Sequence, residues 1–145
     1  MPRTKKTVLF VCDDEPIDLS DIRRALESDP RFIVLTCSDY TTGVNLFTTH
    51  GSAVQLALLD VALPGKDGVQ LARRILTINP NVKIMFISGH VGKSVLEHYG
   101  VRASDDHFVQ KPFDAPTLLR RVESALASPH RLEFVKSAGQ PANEE

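Results

Sequence analysis

The chain has 145 residues, 42% hydrophobic and 24% charged, with 17 Lys+Arg against 18 Asp+Glu for a net charge of −1. That length suits one domain with a sizeable core and is too short for two ordinary ones. The composition excludes a disordered or fibrous chain, and near-neutrality excludes the basic footprint of a non-specific nucleic-acid binder.

Residues 1–6 carry basic side chains but no apolar h-region, so nothing reads as a signal peptide. The longest apolar run, residues 8–12, is far too short to span a bilayer. Cys12 and Cys37 each lie within apolar stretches. They are expected as buried thiols in a reducing cytoplasm, not as a disulfide.

Strand-like runs occupy residues 8–12, 32–37, 54–59, 82–87 and 107–110. Four are almost continuously apolar, as strands of a parallel sheet covered on both faces must be. Helical spacing separates them. Leu19, Ile22 and Leu26 form a first stripe that ends at Asp29-Pro30. A second pattern follows Asp39 with Val44 and Phe47, and a third joins Val69, Ala72 and Leu76 before Asn79-Pro80. Val95 and Tyr99 precede a C-capping Gly100, and Asp114 caps a last helix bearing Leu119, Val122 and Leu126. Five βα units in alternation predict an open, doubly wound α/β sheet with right-handed crossovers. The domain is expected over residues 7–127, after a basic lead at 1–6. Residues 128–145 read as a mobile tail, in which Leu132, Phe134 and Val135 offer at most one extra docking turn.

In such sheets ligands bind beyond the carboxyl ends of the strands. There the first strand delivers Asp13-Asp14-Glu15, the third Asp60, the fourth Ser88-Gly89 and the fifth Lys111-Pro112-Phe113. Taken singly, Asp13-Asp14 is a helix-capping turn, Ser88-Gly89 a turn, and Lys111 a solvated lysine. Asp60 is different, because an acid that abuts a buried strand needs partners. Together they make an oxygen-rich acidic pocket suited to Mg²⁺, with a hydroxyl and an ammonium for phosphoryl oxygens. The chemistry this suggests is phosphoryl transfer, to water or to a carboxylate of the protein itself.

Residues 8–16, 58–68, 86–89 and 107–113 resemble the receiver domain of bacterial response regulators, the phospho-accepting half of two-component signalling. The resemblance runs from about Thr7 to Ala127 and implies a flavodoxin-like (βα)5 three-layer sandwich with strand order 2-1-3-4-5. It implies that Asp60 is the phosphoacceptor, that Asp14 ligates Mg²⁺ directly, and that Asp13 does so through water. The backbone carbonyl of Ala62 would complete the metal site. Ser88 takes the position of a hydroxyl more often supplied by Thr, and Lys111 pairs with Asp60 and then with the phosphoryl oxygens. The Lys111–Pro112 bond is expected to be cis. Phe108 holds the switch-aromatic position, without the hydroxyl of the more usual Tyr; its alternative is an inward core residue. Ala62 and His90 stand where the family modulates the lifetime of the phosphoryl group, and Lys66 is expected to be solvent-exposed.

The implied partners are a sensor histidine kinase or a histidine phosphotransfer protein and a downstream protein target. Phosphorylation-dependent homodimerisation is possible; direct contact with nucleic acid or membrane is not expected. The switching surface would be the fourth helix, fifth strand and fifth helix, and the chain would catalyse only its own phosphorylation and dephosphorylation. Two other readings compete. A phosphorylation-independent adaptor would have no use for the full acidic set. A Mg²⁺-dependent phosphatase of the haloacid dehalogenase type would need a second acid where Ala62 stands. Neither a P-loop, a dinucleotide fingerprint, a serine-hydrolase elbow nor a zinc spacing occurs.

Overall fold

The computed structural model describes residues 5–89, 96–102 and 104–134. Its strands are β1 (Thr7–Cys12), β2 (Phe32–Cys37), β3 (Val54–Asp60), β4 (Lys83–Ser88), β5 (Val101–Arg102), β6 (Phe108–Gln110) and β7 (Glu133–Phe134). Five of them form one sheet in the order β2-β1-β3-β4-β6. All four of its pairings are parallel. Because β5 lies outside this sheet, the arrangement is the expected flavodoxin-like 2-1-3-4-5 order when only sheet strands are counted.

Side chains on a strand alternate between faces, so a strand covered on both sides must be apolar throughout. In β1, Phe10 and Cys12 join the core beneath α2 (Tyr40–His50) and α3 (Gly68–Ile78), with Phe47, Leu71 and Ile75. Leu9 and Val11 join the opposite core, with Ile22 and Leu26 of α1 (Pro16–Glu27) and Leu118 and Val122 of the C-terminal helix (Ala115–Ala127). These are the three layers expected from the run of apolar residues. Cys12 and Cys37 are both free and buried.

The caps explain where the helices begin. The carboxylates of Asp39 and Asp114 accept from the backbone N–H groups of Thr42 and Thr117, at 2.7 and 2.8 Å. Asp67 and Gln70 form a reciprocal capping box at the start of α3. Residues 90–95 lie outside the described residues, and with them His90, Val95 and most of the expected fourth helix. Its end is described: Leu96 is buried, and Gly100, at φ +80°, donates to the carbonyl of Glu97. That is the left-handed cap expected of a glycine.

Three boundaries differ from the sequence reading. β3 extends through Asp60, and β4 runs from Lys83 through Ser88, so both polar residues end strands instead of following them. The fifth sheet strand starts at Phe108, because residues 105–107 form a 3₁₀ turn. His107 Nδ1 closes that turn by accepting from the Ser104 N–H at 3.0 Å.

The segment after the last helix requires a larger correction. Leu132 and Phe134 make no helical turn; Glu133–Phe134 is β7, paired antiparallel with β5. Both side chains pack against the α2/α3 core, and the Arg73 guanidinium lies 4.3 Å from the Phe134 ring centroid. The physical cause is the exposed edge of β5, whose backbone groups need a partner. Ser128 is buried, its carbonyl accepts from Lys83, and its hydroxyl donates to Asp106. The chain is therefore docked through Phe134. Val135 lies outside the described residues.

Candidate functional site

Asp13 immediately follows β1, Asp60 ends β3, Ser88 ends β4, and Lys111 follows β6 by one residue. A parallel sheet sends all four strand ends to one edge, so residues distant in sequence meet there. Asp13 is fully buried, Asp60 and Ser88 are nearly so, and Asp14 is exposed.

Asp60 is held at both oxygens. Oδ1 accepts from the Ala62 N–H at 3.0 Å and Oδ2 from Lys111 Nζ at 3.1 Å. Burial raises its pKa above the ordinary carboxyl value, against the opposing pull of the Ala62 N–H and the Lys111 ammonium. Asp13 Oδ1 accepts from the Glu15 N–H at 2.9 Å. Asp13 therefore closes the turn into α1 and also belongs to the acidic cluster. Its Oδ2 makes no hydrogen bond, although Lys111 Nζ lies 2.8 Å away as an ion pair.

Lys111 carries more acid than expected. Its ammonium lies within 2.8, 2.8 and 3.1 Å of carboxylate oxygens of Asp13, Asp18 and Asp60. Burial disfavours its charge, but the three carboxylates outweigh burial and raise its pKa. The sequence reading missed Asp18. The available signal was a carboxylate in the first turn after Pro16, on the helix that rises from the Asp13-Asp14 loop.

Oxygens of Asp13, Asp14 and Asp60 all lie within 4.8 Å of one another. Such hard, anionic donors match the preference of Mg²⁺. The buried Asp13 Oδ2, with the Lys111 ammonium as its close partner, keeps a lone pair that could coordinate a cation or accept a proton of the cation's bound water. The residues present therefore fit a divalent cation.

Backbone packing fixes the loop beneath the pocket. Gly68 donates its N–H to the Val61 carbonyl at 2.8 Å. A Cβ at Gly68 would lie 2.0 Å from the Asp60 carbonyl oxygen, so only glycine permits this approach. The Lys111–Pro112 peptide is cis. Phe108 is half-buried and packs against the α2/α3 core from the edge strand. Lys66 is exposed, its ammonium 5.0 Å from the Tyr40 ring centroid. Ala62 contributes its N–H to Asp60, and its side chain is exposed.

Residues 9–123 match the family model of the response regulator receiver domain. The chain belongs to that family. It is 38% identical over 119 residues to the transcriptional regulatory protein CseB of Streptomyces coelicolor, covering 82% of this chain and 48% of that protein. It thus spans about half the length of that relative. It is 27% identical over 118 residues to the chemotaxis protein CheY of Treponema pallidum, covering 81% of each. Among solved structures, a response regulator receiver domain from Clostridium thermocellum superposes with a TM-score of 0.70 at 26% identity, covering 83% of this chain and 94% of that one. Among the described residues of this receiver, no helix is long and apolar enough to cross a membrane.

Proposed function

We propose that this receiver accepts a phosphoryl group on Asp60 from a histidine kinase or a histidine phosphotransfer protein in the cytoplasm. The observation that carries this reading is the fixed Asp60 carboxylate, with the Lys111 ammonium on one oxygen and the Asp13 and Asp14 carboxylates beside it. A lone pair on a carboxylate oxygen of Asp60 forms the new O–P bond as the P–N bond to the donor imidazole breaks. The imidazole leaves with the electron pair and takes a proton from solvent. The Ala62 N–H and Lys111 hold the nucleophile's orientation before transfer, so little reorganisation is needed.

Asp13, Asp14, Asp60 and the Ala62 carbonyl would hold Mg²⁺, Asp13 through a water molecule, and the ion would neutralise the crowded phosphoryl oxygens. Lys111 is placed to follow the charge from the Asp60 carboxylate to those oxygens. Ser88, on the neighbouring strand, offers a hydroxyl donor to the same group. Its displacement frees space for Phe108, which stands on β6 in register with Phe86 of β4. Phosphorylation would then shift the population of a surface comprising the fourth helix, β6 and the C-terminal helix, read by a downstream protein or a second copy of the chain. The chemistry ends in a modified protein and the hydrolysis of that modification, so the receiver acts as a switch and not as a turnover enzyme.

The test is intact mass after incubation with Mg²⁺ and a small acyl phosphate donor. The expected result is one phosphoryl group on the native chain and none on Asp60→Asn. Equal labelling of the Asn variant would overturn Asp60 as acceptor. No gain with any donor would favour a phosphorylation-independent adaptor, and turnover of a generic phosphate ester would favour a phosphatase.

A further inference from the structure

Asp18 has no part in the transfer just proposed, yet its 2.8 Å hydrogen bond from Lys111 equals the Asp13 ion pair at 2.8 Å and is shorter than the 3.1 Å bond to Asp60. The contact joins residues 93 apart in sequence, so local geometry does not account for it. With Glu15 as the N-cap, Asp18 is the third residue of α1. An acid there ordinarily reaches back to the N–H of the cap residue. That N–H is already taken, because Glu15 donates it to Asp13 Oδ1. The Asp18 carboxylate, 41% exposed, turns to the ammonium instead.

We propose that Asp18 is a positioning residue that competes with the phosphoryl group for the Lys111 ammonium and offsets that ammonium's repulsion of the divalent cation. The inference rests on the phosphoacceptor reading and adds a control on the same site. An ammonium has three donors, so oxygens arriving on Asp60 must share Lys111 with Asp18 or displace it. The Asp18 charge also repels a phosphoryl dianion and attracts a cation across a few ångströms. Its effects on anion and cation binding therefore have opposite signs. It sets how readily the site accepts and keeps its modification, through a residue that ligates neither phosphorus nor metal.

Asp18→Asn removes the charge while keeping the size and one acceptor oxygen. The chain contains no Trp, so Mg²⁺ affinity is measured by titration calorimetry. Affinity for beryllofluoride, a phosphoryl mimic, is measured by fluorine NMR at saturating Mg²⁺. The expected result is about three- to tenfold tighter beryllofluoride binding and roughly two- to fivefold weaker Mg²⁺ binding, the scale of one charge interaction near a protein surface. Asp18→Glu restores the charge and is expected to bring both affinities back towards the native values. A purely structural role would weaken both ligands together, so parallel changes overturn the proposal. So do two affinities within twofold of native. A native chain that binds neither probe overturns the phosphoacceptor reading itself. A native chain that binds both, beside an indistinguishable Asn variant, overturns the role of Asp18 alone.

Discussion

Lys111 and the acids around it show how much one side chain depends on its neighbours. Each carboxylate would repel the others in a partly buried pocket, and the ammonium that links three of them makes the cluster tolerable. Removing it exposes the repulsion. Lys111→Met is expected to lower stability in metal-free buffer by roughly 1–3 kcal/mol, less than a fully buried pair because the site is partly solvated. Added Mg²⁺ should restore part of the loss. Urea denaturation with and without the ion reads both effects, and an equal loss under the two conditions would mean packing, not charge, is responsible. The sequence reading reached Asp13, Asp14, Asp60, Ser88 and Lys111 because each sits where an apolar run stops. Asp18 gave no comparable signal, since an acid in the first turn of a helix is commonplace.

The elements at the far edge of the sheet are held by a small polar network. His107 Nδ1 accepts from the Ser104 N–H, and Nε2 lies 3.4 Å from the His130 carbonyl oxygen. His130 Nδ1 and the Ser128 hydroxyl both reach Asp106, at 2.9 and 2.6 Å. Together these contacts tie residues 128–130 to the turn before β6. Burial, the largest influence, holds the His107 pKa below its ordinary 6.5. The unfolded chain therefore binds this proton at higher pH than the folded one does. The stability contributed is complete above about pH 6.5 and is lost as pH falls through the lower folded value. Denaturation midpoints should accordingly drop between about pH 7.5 and 5.5. His107→Asn keeps an acceptor near the Ser104 N–H without a titrating ring, and should flatten that slope while lowering stability at neutral pH. An unchanged slope in the variant would assign the titration to other groups. None of this network was legible in the sequence. Ser128 and His130 after a helix read equally well as a solvated tail, and only the fold brings them to Asp106 and His107.

For the whole molecule, an ion held in the acidic pocket would couple metal binding to folding, because the three carboxylates converge only when β1 and β3 lie side by side. An ion that binds only the native state adds about 2.7 kcal/mol at a hundredfold excess over Kd. For a domain of this size that is a rise of roughly 5–10 °C in Tm. Thermal unfolding with and without Mg²⁺ is expected to show the shift in the native chain and to lose most of it in Asp13→Asn. An equal rise in the variant would place the ion elsewhere.

The amino-acid sequence determined the layer architecture, since a strand buried on both faces must be apolar throughout and a helix buried on one face must be apolar every third or fourth residue. It also determined which strand ends carry polar groups, and hence the candidate acceptor, hydroxyl and ammonium. Tertiary structure alone decided who pairs with whom. Asp18 meets Lys111 because β6 returns beside β4 and α1 starts at the same sheet edge. Gly68 must be glycine because the backbone of Asp60 passes against it. Glu133–Phe134 becomes a strand because β5 offers an unpaired edge. Periodicity records the environment of each residue, whereas a contact between distant residues depends on the path of the chain between them.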